Sequence, residues 1–239
     1  MDLILILSGI ILILLLLILN DPFLSPNFFS DGKQKINTVN LYVDYYYDHR
    51  NNRTYPLSGN FFKVFVEKTG MGIITNDVDY FNYGIDFHFY QELSDRWFIA
   101  ENVKATGSSS SNKSYDFQNE LSTNIRGFDF YTIRGDKMIT AQANLKYNIV
   151  KPNVKKARKP EDADSKFKNV QYAFYLNLFS DGGFVRNNYT VNNPHVNKML
   201  ISYGIGLDFV SYYNLVLRFE YAFTNIDSHG FFIGFGMPI

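Results

Sequence analysis

The residues best suited to proton transfer or metal binding are four histidines, and their spacing argues against both roles. His49, His88, His195 and His229 are scattered along the chain, and no His-Glu-x-x-His run places two of them on one helix face. Asp86 and His88 stand two apart, which puts both on the same side of a β-strand. A carboxylate beside an imidazole could move a proton, but the simpler reading of the pair is the polar lining of a sheet face. No Gly-x-Ser-x-Gly elbow or phosphate-binding glycine loop occurs. The chain has no cysteine, which removes thiolate metal sites and disulfide scaffolds. No catalytic residue, metal or cofactor is therefore expected, and the chain reads as something other than an enzyme. Its 23 basic and 23 acidic residues balance, without the basic excess that nucleic-acid binding leaves.

Three other patterns are spaced for recognition rather than reaction. The first runs from Asp48 through Arg50, Arg53 and Pro56 to Gly59. Proline fixes φ and glycine permits unusual backbone angles, so this stretch suits a tight turn between strands. The second is Ile125-Arg126-Gly127-Phe128, followed by Arg134-Gly135-Asp136. The third is Phe179-Ser180-Asp181-Gly182-Gly183 at the end of a strand pattern. Each pattern alone is ordinary; their order between strands is the informative feature.

The elements that must position them are strands. From residue 36 onward apolar and polar residues alternate with a period of two. Val39, Leu41, Val43, Tyr45 and Tyr47 share one phase, with Asn40, Tyr42, Asp44, Tyr46 and Asp48 on the other. Ile201, Tyr203, Ile205, Leu207 and Phe209 alternate with Ser202, Gly204, Gly206 and Asp208, and Leu215, Leu217, Phe219, Tyr221 and Phe223 with Val216, Arg218, Glu220 and Ala222. The same rhythm recurs at 62–67, 81–89, 139–148, 172–178 and 231–239. It also recurs at 97–106, where Glu101 intrudes on the apolar phase. That makes about nine strands of about ten residues, a length that spans a bilayer at a tilt, whereas soluble strands cluster near ~5–6. The 18 Tyr and 23 Phe exceed what a soluble core needs, and lipid-facing bands and interface girdles use such rings. Connections at 107–124 and 181–198 read as long loops, those at 92–95 and 212–214 as short turns. The charged stretch 151–168 reads as a solvated excursion.

Residues 3–19 are almost purely Leu and Ile, long enough as a helix to cross a membrane or to form a signal-peptide core. Neither Asp2 nor the residues after Leu19 fit the signal pattern well. The chain thus divides into a hydrophobic segment at 1–20, read as a signal or transmembrane helix, a Pro/Ser/Asn-rich connector at 21–35, and strands over 36–239.

With these motifs in this order, the stretch 37–239 resembles the C-terminal part of the barrel in the BamA/TamA-type outer-membrane assembly superfamily, also called the bacterial surface antigen family. There an Asp-Arg…Pro-x-x-Gly turn precedes a loop bearing Val-Arg-Gly-Phe/Tyr, and a Phe/Trp-x-Asp-x-Gly strand follows. Here Asp48, Arg50 or Arg53, Pro56 and Gly59 match the turn. Ile125, Arg126, Gly127 and Phe128 match the loop, with Ile for Val. Phe179, Asp181 and Gly183 match the strand, while the terminal Ile239 departs from the common aromatic. The resemblance implies an all-β membrane protein: an antiparallel transmembrane β-barrel in the outer membrane, of which this chain holds about nine of sixteen strands. It implies that the turn lies on the periplasmic side. It also implies that Arg126 anchors a loop folded into the barrel against the strand bearing Asp181, with Phe128 packed on the wall and Gly127 allowing close approach. The expected partners are outer-membrane lipid, unfolded outer-membrane proteins as substrates, and periplasmic or lipoprotein accessory subunits. The family's periplasmic repeats and earlier strands find no counterpart before residue 36, so the sequence reads as a truncated product or one completed by another chain. The barrel domain of a patatin-like lipase, a secretion barrel, a porin or surface antigen, and a remnant without function are the alternatives.

Overall fold

A computed structural model describes residues 7–20, 35–70, 79–110, 119–120, 125–131, 133–156, 169–187, 194–211 and 215–236. Of 7–20, 35–38, 110, 119–120, 151–156 and 169–171 only the backbone is described. Ten strands pair in chain order into one antiparallel sheet: β1 (Leu7–Asn20), β2 (Lys35–Asp48), β3 (Gly59–Thr69), β4 (Tyr80–Ser94), β5 (Trp97–Ser110), β8 (Lys137–Lys156), β9 (Asn169–Arg186), β10 (Met199–Ser211), β11 (Val216–Thr224) and β12 (His229–Phe235). Two short strands, β6 (Asn119–Glu120) and β7 (Arg134–Gly135), pair beside it.

The N-terminal helix is corrected by this structure. Leu7–Asn20 is a strand whose residues pair with β2 from Leu7↔Asp48 to Asn20↔Lys35. A continuous run of Leu and Ile has no polar phase, so its periodicity cannot separate a strand from a buried helix. Among the described residues no helix is long and apolar enough to cross a membrane. Nine strands follow β1, as many as the alternation indicated, though several are longer than ten residues: β8 has 20 and β9 has 18. The loop expected at 181–198 accordingly begins later, because Asp181 lies inside β9 and pairs with Gln142 and Ser202. The Lys151 stretch continues β8 to Lys156. The connector at 21–34, the excursion at 157–168, the turn at 212–214 and the terminal Ile239 lie outside the described residues.

The sheet is inside-out by soluble standards. On β10, Ile201, Tyr203 and Ile205 are 42, 57 and 46 % exposed, while Ser202 and Asp208 are fully buried. On β12, Phe231, Ile233 and Phe235 are all exposed. Apolar rings and branched chains cover the outer face, and Asn144, Lys146, Asn177, Asp181 and Glu220 are buried on the inner one. In water that distribution would be unfavourable at every strand; in lipid it is the favourable one. Glu101 stands on this outer face, exposed, between Phe89 and Ala143 of the neighbouring strands.

The sheet also curls. The hairpin joining β2 to β3 is closed by His49 N–H on Asn60 O (2.8 Å) and Asn51 N–H on Ser58 O (3.0 Å). Such a hairpin extends along its strands, so on a flat sheet its tip would stay about five strand spacings, ~24 Å, from β10. Yet the hydroxyl of Tyr55, at that tip, donates to Asp208 of β10 at 2.8 Å. Among the described residues no ladder joins β1 to β12.

Two apolar clusters occupy the inner face, and both depend on connections rather than on a second sheet. One contains Ile125, Phe128, Ile133, Met138, Val185 and Leu200. The other contains Tyr55, Phe98, Ala173, Tyr175 and Val216. Because connections of an up-and-down sheet alternate between its ends, the first enters from the end holding the β5–β8 connection and the second from the end holding the β2–β3 turn.

Candidate functional site: a loop anchored on the inner face

Residues 125–131 form a tight turn that buries Ile125, Gly127 and Phe128. The N–H of Tyr131 donates to Phe128 O at 2.9 Å, and that of Gly127 to the Asp129 carboxylate at 3.2 Å. Gly127 has φ +86, and a Cβ there would stand 2.8 Å from Thr224 Cγ2 and 3.2 Å from Ala222 Cβ. Glycine is therefore required twice, by the left-handed backbone and by the approach to β11. Ile125 and Phe128 flank it and are buried in the first cluster.

This turn aims Arg126 along the wall. Its Nε donates to Asp181 Oδ2 at 2.8 Å and its Nη2 to Asp181 Oδ1 at 2.5 Å, a two-pronged contact. Its backbone N–H donates to the same carboxylate at 3.1 Å. The remaining prong, Nη1, donates to Asn144 Oδ1 at 2.8 Å and Glu220 Oε1 at 3.2 Å. The guanidinium carbon sits over the Phe179 ring, 3.8 Å from its centroid. The side chain of Arg126 is 12 % exposed and that of Asp181 is fully buried. A planar, five-donor cation is the group that can satisfy so many acceptors at once in such surroundings. Three sheet strands are thereby touched by one side chain: β8 through Asn144, β9 through Phe179 and Asp181, and β11 through Glu220, with β10 lying between β9 and β11.

The third residue of the strand motif, Gly183, is buried on β9 opposite Thr140 and Leu200. Asn144 and Glu220 were not singled out from the sequence as partners. Glu220 carries the visible signal, a charge in the middle of a strand's polar phase. Arg134-Gly135 forms the short strand β7, with Arg134 paired to Glu120 in register and Gly135 to Asn119.

The turn motif lies apart from this site. Asp48 takes a two-pronged contact from Arg50, Nε on Oδ1 at 2.8 Å and Nη2 on Oδ2 at 2.9 Å, and that bond holds the Arg50 guanidinium even more firmly protonated. Arg53 reaches the same carboxylate at 3.3 Å but stays largely exposed. Pro56 is buried. Gly59 has φ +98, and a Cβ there would stand 2.0 Å from His49 O. Gly59→Ala should therefore lose at least ~1–3 kcal/mol from the backbone angle alone, read as a fall in the temperature at which the folded band converts on unheated gels. His88 meets Asp86 at 3.0 Å, and Asn102 donates to the same Asp86 oxygen at 2.8 Å. Among the described residues no group of three or more His, Cys, Asp or Glu is placed to hold a metal.

No curated protein matches the sequence. A family model does: the Omp85 superfamily domain covers residues 19–237. The turn, loop and strand motifs all fall within that match. This chain belongs to the Omp85 superfamily, the outer-membrane superfamily of protein assembly and translocation that includes the BamA/TamA type.

Proposed function

We propose that the chain forms part of an outer-membrane barrel that inserts or translocates outer-membrane proteins, with an unpaired strand edge serving as template for the incoming strand. The observation that carries this reading is the anchored loop. A passive pore needs no buried arginine tying a connection to Asp181, Asn144 and Glu220. A machine that must hold its wall rigid while one edge exchanges partners has a use for it. Among the described residues β1 and β12 each pair on one side only, which supports the same reading, because backbone groups left unpaired in hydrocarbon cost several kcal/mol each. A strand added by β-augmentation satisfies them. Outer-membrane lipid is then the solvent of the outer face, and unfolded barrel proteins are the substrates.

Two measurements test this. Membranes extracted with carbonate should retain the chain, since its exposed Phe, Ile and Tyr need lipid; recovery as a soluble monomer would contradict the proposal. Vesicles containing the protein should fold an added outer-membrane barrel substrate faster than empty vesicles, and Arg126→Ala vesicles should lose most of that gain. Equal rates in all three would remove the assembly function.

A further inference from the structure

The inner face is reached from both ends, and the second connection is held as specifically as the first. Asn52 Oδ1 accepts the N–H groups of Thr54 (2.7 Å) and Tyr55 (3.1 Å), while Asn51 Oδ1 accepts those of Leu57 (3.0 Å) and Ser58 (3.2 Å). These bonds bend the β2–β3 connection so that Tyr55 points across the wall. The ring of Tyr55 lies 4.9 Å from that of Tyr175 on β9, and the Lys146 ammonium of β8 sits 4.4 Å from its centroid. Its hydroxyl donates to Asp208 Oδ2 on β10 at 2.8 Å. Tyr55 is 4 % exposed, and Lys146 and Asp208 are fully buried. Burial, and after it the neighbouring Asp208 charge, push the Tyr55 hydroxyl well above its ordinary range, so it stays a proton donor at any working pH.

We infer that the β2–β3 turn is a second plug, latched by the Tyr55–Asp208 hydrogen bond, and that its release uncovers the inner face from the end opposite the Arg126 loop. A turn that merely joined two strands would need neither a buried tyrosine at its tip nor a contact to a strand 153 residues away. The wall it meets carries the buried Lys146 and Asp208 beside the apolar Phe98, Ala173, Tyr175 and Val216, and would otherwise face an open interior. The latch is also small: one hydroxyl proton and one carboxylate, backed by a tilted ring contact and a cation, so it can open while the ladder hydrogen bonds of the sheet persist. Latch and anchor lie in adjacent rows. Lys146 pairs in register with Phe98 and Asn177, and the row next to it along the strands holds Asn144 and Phe179, which grip Arg126. Each plug thus fills its own half of the same stretch of wall.

The test uses trypsin on the full chain in detergent micelles. Arg53 is exposed within the turn, so the bond after it is a cleavage site whenever the turn swings free. With the latch closed, that bond should resist trypsin despite the exposed side chain. Tyr55→Phe removes the hydroxyl and keeps the ring, and should raise the cleavage rate after Arg53 about tenfold or more, the worth of a hydrogen bond to a charged acceptor. The folded band on unheated gels should remain, because the wall ladder is untouched; this readout is independent of assembly activity. Equal cleavage of wild type and Tyr55→Phe with the folded band intact would overturn the inference. Wild-type cleavage after Arg53 as fast as in the urea-unfolded chain would overturn it as well, whatever the variant does.

Discussion

Arg126→Ala is expected to lower the stability of the folded wall by ~3–5 kcal/mol, the cost of breaking a buried charge pair from one side. The truncation strips Asp181, fully buried, of its guanidinium and takes from Glu220, nearly buried, the nearer of two. Glu220 would keep the Arg218 guanidinium at 3.9 Å. The reverse truncation is gentler. Asp181→Ala leaves Arg126 with Asn144 and Glu220, so it should cost clearly less than Arg126→Ala. The double variant should lose less than the sum of the two singles, with a coupling of ~0.5–3 kcal/mol. Arg126→Lys should recover only part of the loss, since an ammonium keeps the charge but cannot make two parallel N–H contacts to Asp181. The readout is the midpoint of the folded-to-unfolded band shift with temperature or urea. Strict additivity would mean that the pair contributes nothing as a pair.

Phe128→Ala is expected to cost about as much, ~3–5 kcal/mol, through apolar packing. Its side chain is fully buried among Ile125, Ile133, Met138, Val185 and Leu200, with the Tyr131 ring beside it at 6.2 Å. The cavity left behind could not collapse easily, because Met138, Val185 and Leu200 belong to strands held by ladders on both sides. Phe128→Leu keeps most of the volume and should cost under about 1.5 kcal/mol. If the alanine and leucine variants unfold at the same point, Phe128 is not the apolar half of the anchor.

Much of the wall was legible in the order of residues. Period-two alternation over Val39–Tyr47 or Ile201–Phe209 needs no tertiary context, because each strand carries its own two faces. Leu7–Asn20 carried no such mark: with Leu and Ile on every phase, only pairing with β2 makes it a strand. Strand ends were also hidden. β9 runs on past Asp181-Gly182-Gly183 because Gly182 and Gly183 find partners on both neighbours, which no local turn signal could reveal. The anchor was half legible. Arg126 and Asp181 stood out through their motifs, whereas Asn144 and Glu220 join them only because the sheet curls and brings β8 and β11 to the same guanidinium. Tyr55 and Asp208 were silent for the same reason: a tyrosine in a Pro/Gly turn and an aspartate on a polar phase look unrelated until the curl brings them together.

In the proposed arrangement one face of this sheet meets lipid and the other meets the two plugs. The chain has no cysteine, so single cysteines can report face by face along β10. Fluorophores would be attached at Ile201→Cys, Ser202→Cys, Tyr203→Cys, Ile205→Cys, Gly206→Cys and Asp208→Cys in protein reconstituted into bilayers containing a lipid-borne quencher. Strong quenching at 201, 203 and 205, with little at 202, 206 and 208, is the result this structure predicts. Quenching that is uniform along the strand, or strongest at the even positions, would contradict it.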